Sequence, residues 1–247
     1  MIKKNVNFWN DELPTGYYDK IFSDGAKKNN GVRSLWHYIT FLTVSNYLDL
    51  SSKHLDYACG PGTFIGNFSC SNSIGVDISQ KQINFAKSKY IENEYYTAND
   101  FDFSNHEDSF DLITVLGLYE FIDDNEIDEL MGKFNYCLKK NGKIIITTPN
   151  FSIFMEIMIK VLNLFKGVDY SEMYINKFNK KKISDFKKKY SDFYIENSKL
   201  LNLGVFFGFL SFNIGIKIHD FIDKIFLSKL NMNILIVVLK NICTPIP

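Results

Sequence analysis

The stretch 55–66, which reads LDYACGPGTFIG, constrains the fold of this chain more than any other. It begins as a short apolar run, turns through Gly60 and Gly62, and leads to a second apolar run that ends in Asp77. Glycine is needed where the backbone turns sharply or where a ligand must approach more closely than a Cβ allows. Strand, glycine loop, helix, strand and acid together are typical of a nucleotide-type site in an α/β sheet.

Asp56 indicates which nucleotide such a site would bind. A dinucleotide places its pyrophosphate over the glycine loop and the following helix N-terminus, where backbone N–H groups favour anions. A carboxylate four residues before Gly60 would repel that pyrophosphate. S-adenosylmethionine (SAM) carries no phosphate, and its methionine end has an ammonium beside a sulfonium, so an acid favours it. The glycine loop alone also fits an NAD-type or ligand-free α/β domain.

The pattern Asp56-x-x-Cys59-Gly60-x-Gly62, followed by Asp77 after the next strand, resembles the signature of class I SAM-dependent methyltransferases. The resemblance covers roughly residues 53–150. It implies a Rossmann-like α/β fold whose sheet is mostly parallel with an antiparallel last strand. It also implies SAM as cofactor and S-adenosylhomocysteine as product, with no metal expected.

Strands and helices alternate through the middle of the chain, which predicts a parallel sheet with right-handed crossovers. Strands are predicted at about 53–58, 73–78, 95–98, 111–115 and 143–148, and helices at about 62–69, 79–91 and 124–139. We expect Ser79 to cap the second of these helices, with Gln82 completing a capping box. The third helix is expected to stop at Asn141-Gly142. Ligands of such sheets bind at the carboxyl ends of the strands.

The flanking segments are expected to cover this core. Apolar residues recur at helical spacing between Val32 and Leu48, and in the resembled family such N-terminal helices fold over the cofactor. The 23 Phe and 14 Tyr residues indicate an aromatic-rich helical cap. Further elements are predicted at 151–165 (an apolar helix), 180–189 (a basic helix), 193–203 and 233–239 (strands). One domain of 1–247 is expected, divided into an N-terminal helical lid (1–50), the cofactor-binding core (51–150), a cap or insertion (151–232), and the last strand and tail (233–247).

The resemblance implies roles for the residues that follow the strands. Asp77 would accept hydrogen bonds from both ribose hydroxyls, and Ile78 would pack on the adenine face. Asp100 would receive the adenine amino group, with Phe101 flanking the ring. If the register of that strand slips, a neighbour would fill the role of Asp100 instead: Asn99 or Asp102.

Leu116, at the end of the fourth strand, would lie with Gly117 against the methionine part of the cofactor. The remaining residues expected to contact the cofactor are Tyr18, Arg33, Asp56, Gly60, Gly62 and Gln82.

Methyl transfer from a sulfonium is an in-line displacement, so much of its acceleration comes from holding the acceptor and the methyl group in line. An oxygen acceptor of high pKa also needs a base. Related methyltransferases often have Glu-His where this chain has Glu120-Phe121, so that histidine is missing. The candidate bases are His37 and Glu120, with Tyr17, Tyr119 and His219 behind them. A helix histidine that bonds a nearby backbone carbonyl is the alternative for His37.

Charge and composition limit the partners. Lys+Arg and Asp+Glu both number 28, and the Asn/Asp-Pro-Pro-Tyr/Phe signature of amino methylation on DNA bases is absent after the fourth strand. Both features argue against a nucleic-acid substrate. The four cysteines form no CxxC pair and, with an N-terminus that lacks a signal-like apolar run, predict a cytoplasmic protein. Asp123-Asp124-Asn125 is interpreted as a helix N-cap and not as a metal site.

The segment 200–216 carries no charge and is rich in Phe and Leu, but it is too short for a confident membrane span. Three interpretations remain open: part strand and part packed helix, a wall of the acceptor pocket, or peripheral contact with the inner face of the membrane through 200–227. The expected acceptor is a small molecule methylated on oxygen, such as a bacterial secondary metabolite, a cell-surface glycan precursor or a lipid-linked intermediate. A carbon or nitrogen acceptor stays open as an alternative. A membrane-associated enzyme acting on a lipid or quinone, and a non-catalytic SAM-binding protein, are the alternatives. The sequence indicates no oligomeric state.

Overall fold

The structure is a computed structural model that describes residues 7–49, 51–68, 72–153, 155–157, 170, 172–225 and 231–240. Within these residues, seven strands form one sheet. They are β1 (His54–Tyr57), β2 (Ser73–Asp77), β3 (Glu94–Thr97), β4 (Phe110–Leu116), β5 (Leu138–Pro149), β6 (Phe193–Asn202) and β7 (Asn231–Lys240). Their order across the sheet is β3-β2-β1-β4-β5-β7-β6.

The direction of the strands confirms the predicted sheet. β1 to β5 pair in parallel, whereas β7 runs antiparallel to both β5 and β6. Ile144, Ile145 and Ile146 of β5 are fully buried, as expected for a strand that is covered on both faces.

Helices cover both faces of the sheet. They are α1 (Tyr17–Lys28), α2 (Val32–Ser45), α3 (Thr63–Phe68), α4 (Gln80–Lys89), α5 (Asp124–Cys137), α6 (Lys180–Lys189) and α7 (Phe212–Ile225), with a π-helical turn at Phe8–Glu12 and 3₁₀ segments at Phe103–His106 and Leu203–Phe209. One hydrophobic core includes Phe134 of α5 and Phe186 of α6. A second includes Leu35 of α2, Phe64 of α3 and Phe212 of α7. The described parts of the predicted N-terminal lid (1–50) and of the predicted cap or insertion (151–232) thus pack against the sheet, in this second core through α2 and α7.

Two local predictions at helix ends are wrong. α5 ends at Cys137 and passes directly into β5, so the expected stop at Asn141-Gly142 lies inside a strand. The register shift between Phe110 and Leu112 of β4 accommodates this irregular start of β5, where Asn141 has a φ of +65°. Ser79 does precede α4, but its side chain makes no capping bond.

The flanks follow the predicted pattern where the structure describes them. The predicted helix at 151–165 lies mostly outside the described residues. α6 forms as predicted, and its Lys182 and Lys189 pair with Asp124 and Asp128 of α5. Asp123 caps α5 in a full capping box with Glu126, which confirms its predicted role.

The apolar stretch 200–216 is divided among the end of β6, the 3₁₀ segment and the start of α7. This confirms the interpretation as part strand and part packed helix. The 3₁₀ segment and α7 pack closely against each other: a Cβ added to Gly204 would lie only 2.3 Å from the His219 backbone. Among the described residues, no helix is long and apolar enough to cross a membrane.

Candidate active site

The loop after β1 is shaped by backbone conformations that favour glycine. Gly60 and Gly62 have φ values of +54° and +73°. A Cβ on Gly62 would lie 2.8 Å from the ring of Tyr95, so this glycine is required by packing and does not line the cavity described below. A Cβ on Gly60 would meet its nearest atom, in Tyr18, only at 3.9 Å. Gly60 therefore faces open space, which a ligand can occupy.

Asp77, the last residue of β2, holds this loop. Its Oδ2 accepts a hydrogen bond from the Gly60 N–H at 2.9 Å, and its Oδ1 accepts one from the Ser79 N–H at 2.8 Å. Burial raises the pKa of this carboxyl although these donors oppose the rise. Since each carboxylate oxygen has a second lone pair, Asp77 can still accept bonds from a ligand.

Asp56 lies beside it, with only 2% of its surface exposed. Its Oδ1 accepts a hydrogen bond from Thr114 Oγ1 at 2.6 Å. Burial raises the pKa of Asp56 to about 7; the Thr114 bond opposes this rise and the charge of Asp77 adds to it. No lysine or arginine of the described chain contributes to either pKa. The negative charges of two neighbouring carboxylates disfavour each other. A cationic ligand would therefore stabilise the ionised forms of Asp56 and Asp77.

A cavity of about 560 Å³ opens over this loop, a volume in the range of small-molecule sites. On the side of the glycine loop it is lined by Asp56, Gly60, Asp77, Ile78, Gln82, Ala98, Leu116 and Gly117. On the other side it is lined largely by rings and apolar groups, among them Trp9, Tyr17, Tyr18, Trp36, His37, Phe41, Phe121, Met155, Tyr170 and Tyr174. No residue of 200–225 lines it, so the interpretation of 200–216 as a pocket wall is wrong.

Several buried polar atoms around this cavity lack a hydrogen-bond partner in the described part of the chain. They are Thr40 Oγ1, Thr63 Oγ1, Ser79 Oγ, Glu120 Oε2 and Thr148 Oγ1, and all five residues line the cavity. Each such atom costs about 1–3 kcal/mol if it stays unpaired. Their concentration around one cavity indicates a site built for a polar ligand.

Glu120 is the most buried acid on the ring-lined side, with 4% of its surface exposed. Burial raises its pKa to about 8. The Thr148 hydroxyl opposes this rise, although its geometry to the carboxylate falls short of a hydrogen bond. The Glu120 carbonyl accepts N–H bonds from Ile175 at 2.8 Å and Asn176 at 3.2 Å, which hold the segment 172–178 against the site.

The N-terminal helices form part of the wall, as predicted for a lid. Tyr18 and Tyr170 share a hydrogen bond of 2.8 Å between their hydroxyls, and Arg33 Nη1 donates to Tyr17 Oη at 2.9 Å. The His37 ring lies 5.6 Å from that of Tyr18. Burial lowers the pKa of His37 to about 4 and the charge of Arg33 adds to this, so the imidazole is neutral. Within the described residues no backbone carbonyl bonds its ring nitrogens.

Gln82 attaches the lid to the core. Its Oε1 accepts from the Gly16 N–H at 2.9 Å, and its Nε2 donates to the Pro14 carbonyl at 3.0 Å. These contacts replace the capping box, because they engage both polar atoms of the side chain. The buried carboxylate of Asp19 adds an ion pair with Lys89 of α4. Sequence patterns do not reveal these contacts, since their partners lie 66 or more positions apart.

Asp100 and Phe101 do not line the cavity. β3 ends at Thr97, and Asp100 turns back so that its Oδ2 accepts from Thr97 Oγ1 at 2.6 Å. Phe101 is buried in the core with its ring stacked on His106 at 4.8 Å. Ala98 is the residue of this segment that lines the cavity.

Two of the weaker base candidates are also away from the cavity: Tyr119 is fully buried in the first core, and His219 packs on Gly204. Tyr17, the third, does line it. Thr40, Thr63 and Thr148 are cavity residues that sequence reasoning missed, since a single hydroxyl carries no motif. Within the described residues, no group of three or more His, Cys, Asp or Glu is placed to hold a metal ion.

Comparison with solved structures places this sheet among those of SAM-dependent methyltransferases. One from Archaeoglobus fulgidus is 17% identical, with a TM-score of 0.59 over 85% of this chain and 95% of that chain. A possible histamine N-methyltransferase from Thermotoga maritima is 16% identical, with a TM-score of 0.54 over 84% and 92%. The magnesium protoporphyrin IX methyltransferase of Synechocystis PCC 6803, solved with bound S-adenosylhomocysteine, is 12% identical, with a TM-score of 0.53 over 98% and 100%. A search of curated protein sequences finds no significant match.

Sheet order, glycine loop and neighbouring acids thus define a class I SAM-dependent methyltransferase, as the sequence predicted. A family model described as a methyltransferase domain matches residues 33–190. Since this match spans more than half of the chain, the protein belongs to that methyltransferase family and uses SAM as its cofactor.

Proposed function

We propose that the enzyme methylates an oxygen, phenolic or enolic, of a small and largely apolar molecule that binds in the ring-lined part of the cavity. The observation that carries this proposal is a cavity that joins the acidic glycine-loop site to the buried carboxyl of Glu120 among aromatic rings, where Glu120 Oε2 has no hydrogen-bond partner within the described residues. Flat aromatic walls favour a ring-containing acceptor through stacking and edge contacts. SAM supplies the electrophilic methyl group when it is bound.

For the cofactor we propose the assignment that the resemblance implies. Asp77 would accept from the ribose hydroxyls through its remaining lone pairs, and Ile78 would cover the adenine. Asp56 would face the cationic methionine end, which its burial without a cation supports. Leu116 and Gly117 would lie against the same end of the cofactor. The adenine-binding role of Asp100 remains a prediction, and a turn that brings its exposed carboxylate toward Ala98 would be needed for it.

Glu120 is the base that the geometry favours. One of its oxygens lies 3.4 Å from the position that a Cβ on Gly117 would take, so the carboxyl is next to the end of β4 where the methyl group would be presented. With a pKa of about 8, it can accept a proton from a phenol far better than an ordinary glutamate can. The neutral His37, which also lines the ring-lined side of the cavity, is the second candidate for this role.

A panel of phenols, enols, carboxylic acids and amines, incubated with SAM and assayed for S-adenosylhomocysteine, tests the function. For a phenol that reacts, we expect Glu120→Gln to lower kcat at least tenfold, which corresponds to about 1.4 kcal/mol of barrier. The affinity for SAM should be unchanged, as should the activity of the surface control Glu196→Gln. If neither Glu120→Gln nor His37→Ala lowers the rate tenfold, both assignments of the base are wrong. Turnover of amines alone would contradict the oxygen acceptor.

A second candidate is that the acceptor is lipid-soluble and reaches the enzyme from a membrane surface. The 3₁₀ segment and α7 expose large apolar side chains, among them Phe209 and Phe221, each 61% exposed, and Leu210 and Ile225, each 53% exposed. Such an apolar face is typical of interfacial helices.

Flotation with liposomes of mixed zwitterionic and anionic lipid tests this second candidate. The wild type should float, and the double variant Phe209→Ser with Phe221→Ser should stay at the bottom of the gradient. Ile91→Ser is the matched control, because Ile91 is 75% exposed on a different part of the chain. A wild type that remains wholly soluble would contradict the membrane-borne acceptor.

A further inference from the structure

A chain of buried polar side chains runs from Asp56 into the sheet. Thr114 Oγ1 is 2.6 Å from Asp56 Oδ1, His54 Nε2 is 2.8 Å from Thr114 Oγ1, and His54 Nδ1 is 3.0 Å from Ser73 Oγ. His54 and Thr114 are fully buried, and Ser73 is 3% exposed. The methyl-transfer chemistry proposed above assigns no role to His54, Thr114 or Ser73.

Strand register places the four residues together. Asp56 of β1 pairs with Thr114 of β4, and His54, two positions earlier on β1 and on the same face, pairs with Ser73 of β2. Three strands thus each supply part of one hydrogen-bonded chain that ends at the cavity.

The chain has a defined direction when Asp56 is ionised. A carboxylate only accepts, so Thr114 must give its single proton to Asp56 and accept from His54 Nε2–H. Burial lowers the pKa of His54 to about 3, so the ring is neutral and carries one N–H. Its Nδ1 therefore accepts from the Ser73 hydroxyl.

The same heavy-atom positions also satisfy protonated Asp56, with every bond reversed. Asp56 O–H then donates to Thr114, Thr114 donates to His54 Nε2, and His54 Nδ1–H donates to Ser73. The protonated form holds one proton more than the ionised form. When Asp56 ionises, one hydrogen moves from Asp56 to Thr114, one from Thr114 to His54 Nε2, and one from His54 Nδ1 to Ser73. The hydroxyl proton that Ser73 held before then leaves for solvent through the surface depression that Ser73 lines. No electron is transferred.

We propose that His54 and Thr114 are positioning residues for Asp56, and that binding of cationic SAM holds the chain in the direction in which His54 carries its proton on Nε2. The proposal rests on the proposed assignment of Asp56 to the methionine end of SAM, but not on the identity of the acceptor. The other titratable groups that act on Asp56 or respond to its charge are Asp77, the Cys59 thiol and the Tyr95 hydroxyl. None of these three groups is a cation. The positive charge of bound SAM is therefore the charge that would favour the ionised form of Asp56.

The first test observes His54 directly. Nitrogen-15 NMR of protein labelled at its four histidines, with His54 assigned from a His54→Asn variant, reports which ring nitrogen carries the proton. We expect the Nδ1–H form to be populated near pH 6 without SAM and the Nε2–H form to dominate after SAM is added. One unchanged tautomer under both conditions would overturn the proposal, and this measurement needs no variant to bind cofactor.

The second test separates positioning from packing. Thr114→Val keeps the shape of the side chain but removes the hydroxyl that donates to Asp56, so it should raise the pKa of Asp56. SAM binding should then weaken roughly tenfold near pH 6–7. The loss should be smaller near pH 9, where Asp56 ionises again. Thr114→Ser should restore binding to within about twofold. A loss for Thr114→Val that is the same at every pH would indicate a packing role and overturn the proposal.

A third variant tests whether Asp56 contributes to SAM binding, independently of the acceptor chemistry. Calorimetric SAM binding by Asp56→Ala is measured without any acceptor, so it does not depend on which molecule is methylated. Unchanged affinity would remove Asp56 from the cofactor site and overturn this proposal, while leaving methyl transfer and Glu120 untouched. A strong loss would support the premise even if every phenol in the panel fails to react.

Discussion

The two sides of the cavity are assembled in different ways. On the cofactor side, the lining residues fall between Asp56 and Gly117, and Asp77 reaches the glycine loop only 17 positions away along the chain. On the acceptor side, the wall is built from distant segments, and Tyr18 meets Tyr170 across 152 positions. Hydrogen bonds between side chain and backbone fix the first side. Ring packing, as between Trp9 and Phe121 at 5.1 Å, forms the second.

This difference makes the cofactor side of the cavity physically constrained and the acceptor side adaptable. A loop whose N–H groups are bound by a carboxylate tolerates little change, since each charged hydrogen bond contributes about 1.5–3 kcal/mol. Ring contacts contribute about 0.5–1.5 kcal/mol each beyond burial and allow other apolar groups of similar volume. We therefore expect single substitutions on the cofactor side to weaken SAM binding. Substitutions on the acceptor side should change that wall without loss of SAM binding.

The largest effect is expected for Asp77→Ala. It removes the acceptor for two backbone donors and the proposed partner of the ribose, so SAM affinity should fall by about 100-fold, or roughly 2.7 kcal/mol. Calorimetric titration with SAM measures this, with circular dichroism to show that the variant is folded. Unchanged affinity in a folded variant would exclude Asp77 from the ribose site. Trp36→Phe on the acceptor side, by comparison, should leave SAM affinity within about threefold.

A smaller effect, on stability, is expected at the glycine loop. Gly62→Ala introduces a Cβ at a φ of +73° and 2.8 Å from Tyr95, so it should lower the free energy of unfolding by about 1–3 kcal/mol. Gly132→Ala is the matched control: Gly132 lies within α5 and a Cβ there meets nothing within 4 Å. It should stabilise the protein by about 0.5–1 kcal/mol. Urea unfolding of both variants would show opposite signs, and a loss for both would contradict this reasoning.

The smallest effect should come from the contact that joins the two sides. Gln82→Ala removes both bonds to the turn at Pro14 and Gly16, which should lower stability by about 1–2 kcal/mol and increase hydrogen exchange in α1. Gln80→Ala, on the same helix, removes an exposed bond to Asn84 and should change stability by less than about 0.5 kcal/mol. If exchange in α1 is unaffected in Gln82→Ala, Gln82 does not anchor the lid.

How far the sequence could predict the site follows the same division. Asp56, Gly60, Asp77, Ile78 and Leu116 were expected near one ligand and do line one cavity. Asp100 and Phe101 were expected there too, but the short edge strand β3 ends at Thr97, so the following turn carries both away. A shift of one or two residues at a strand end changes the direction of a side chain, and no pattern in the sequence fixes it.

The fold itself was predicted where side-chain periodicity and turn residues agree. β5 was predicted from its isoleucine run, and α5 was predicted at about 124–139 and begins at Asp124 as expected. The predicted end of α5 was wrong. Asn141-Gly142 is a helix stop by composition, but here it lies in the irregular start of β5. Pairing with β4 decided that outcome, and pairing is a tertiary interaction.

By itself the sequence determined the class of the enzyme, its cofactor and the order of the central elements, because these depend on glycines and acids at short, fixed spacing. Only the tertiary structure decided which polar groups lack a partner, which tyrosines meet across the cavity, and that His54 and Thr114 lie behind Asp56. The physical reason is that strand register and helix packing set these contacts. Both are chosen by the burial of the whole core, and a local pattern contains no information about a partner that lies 60 positions away.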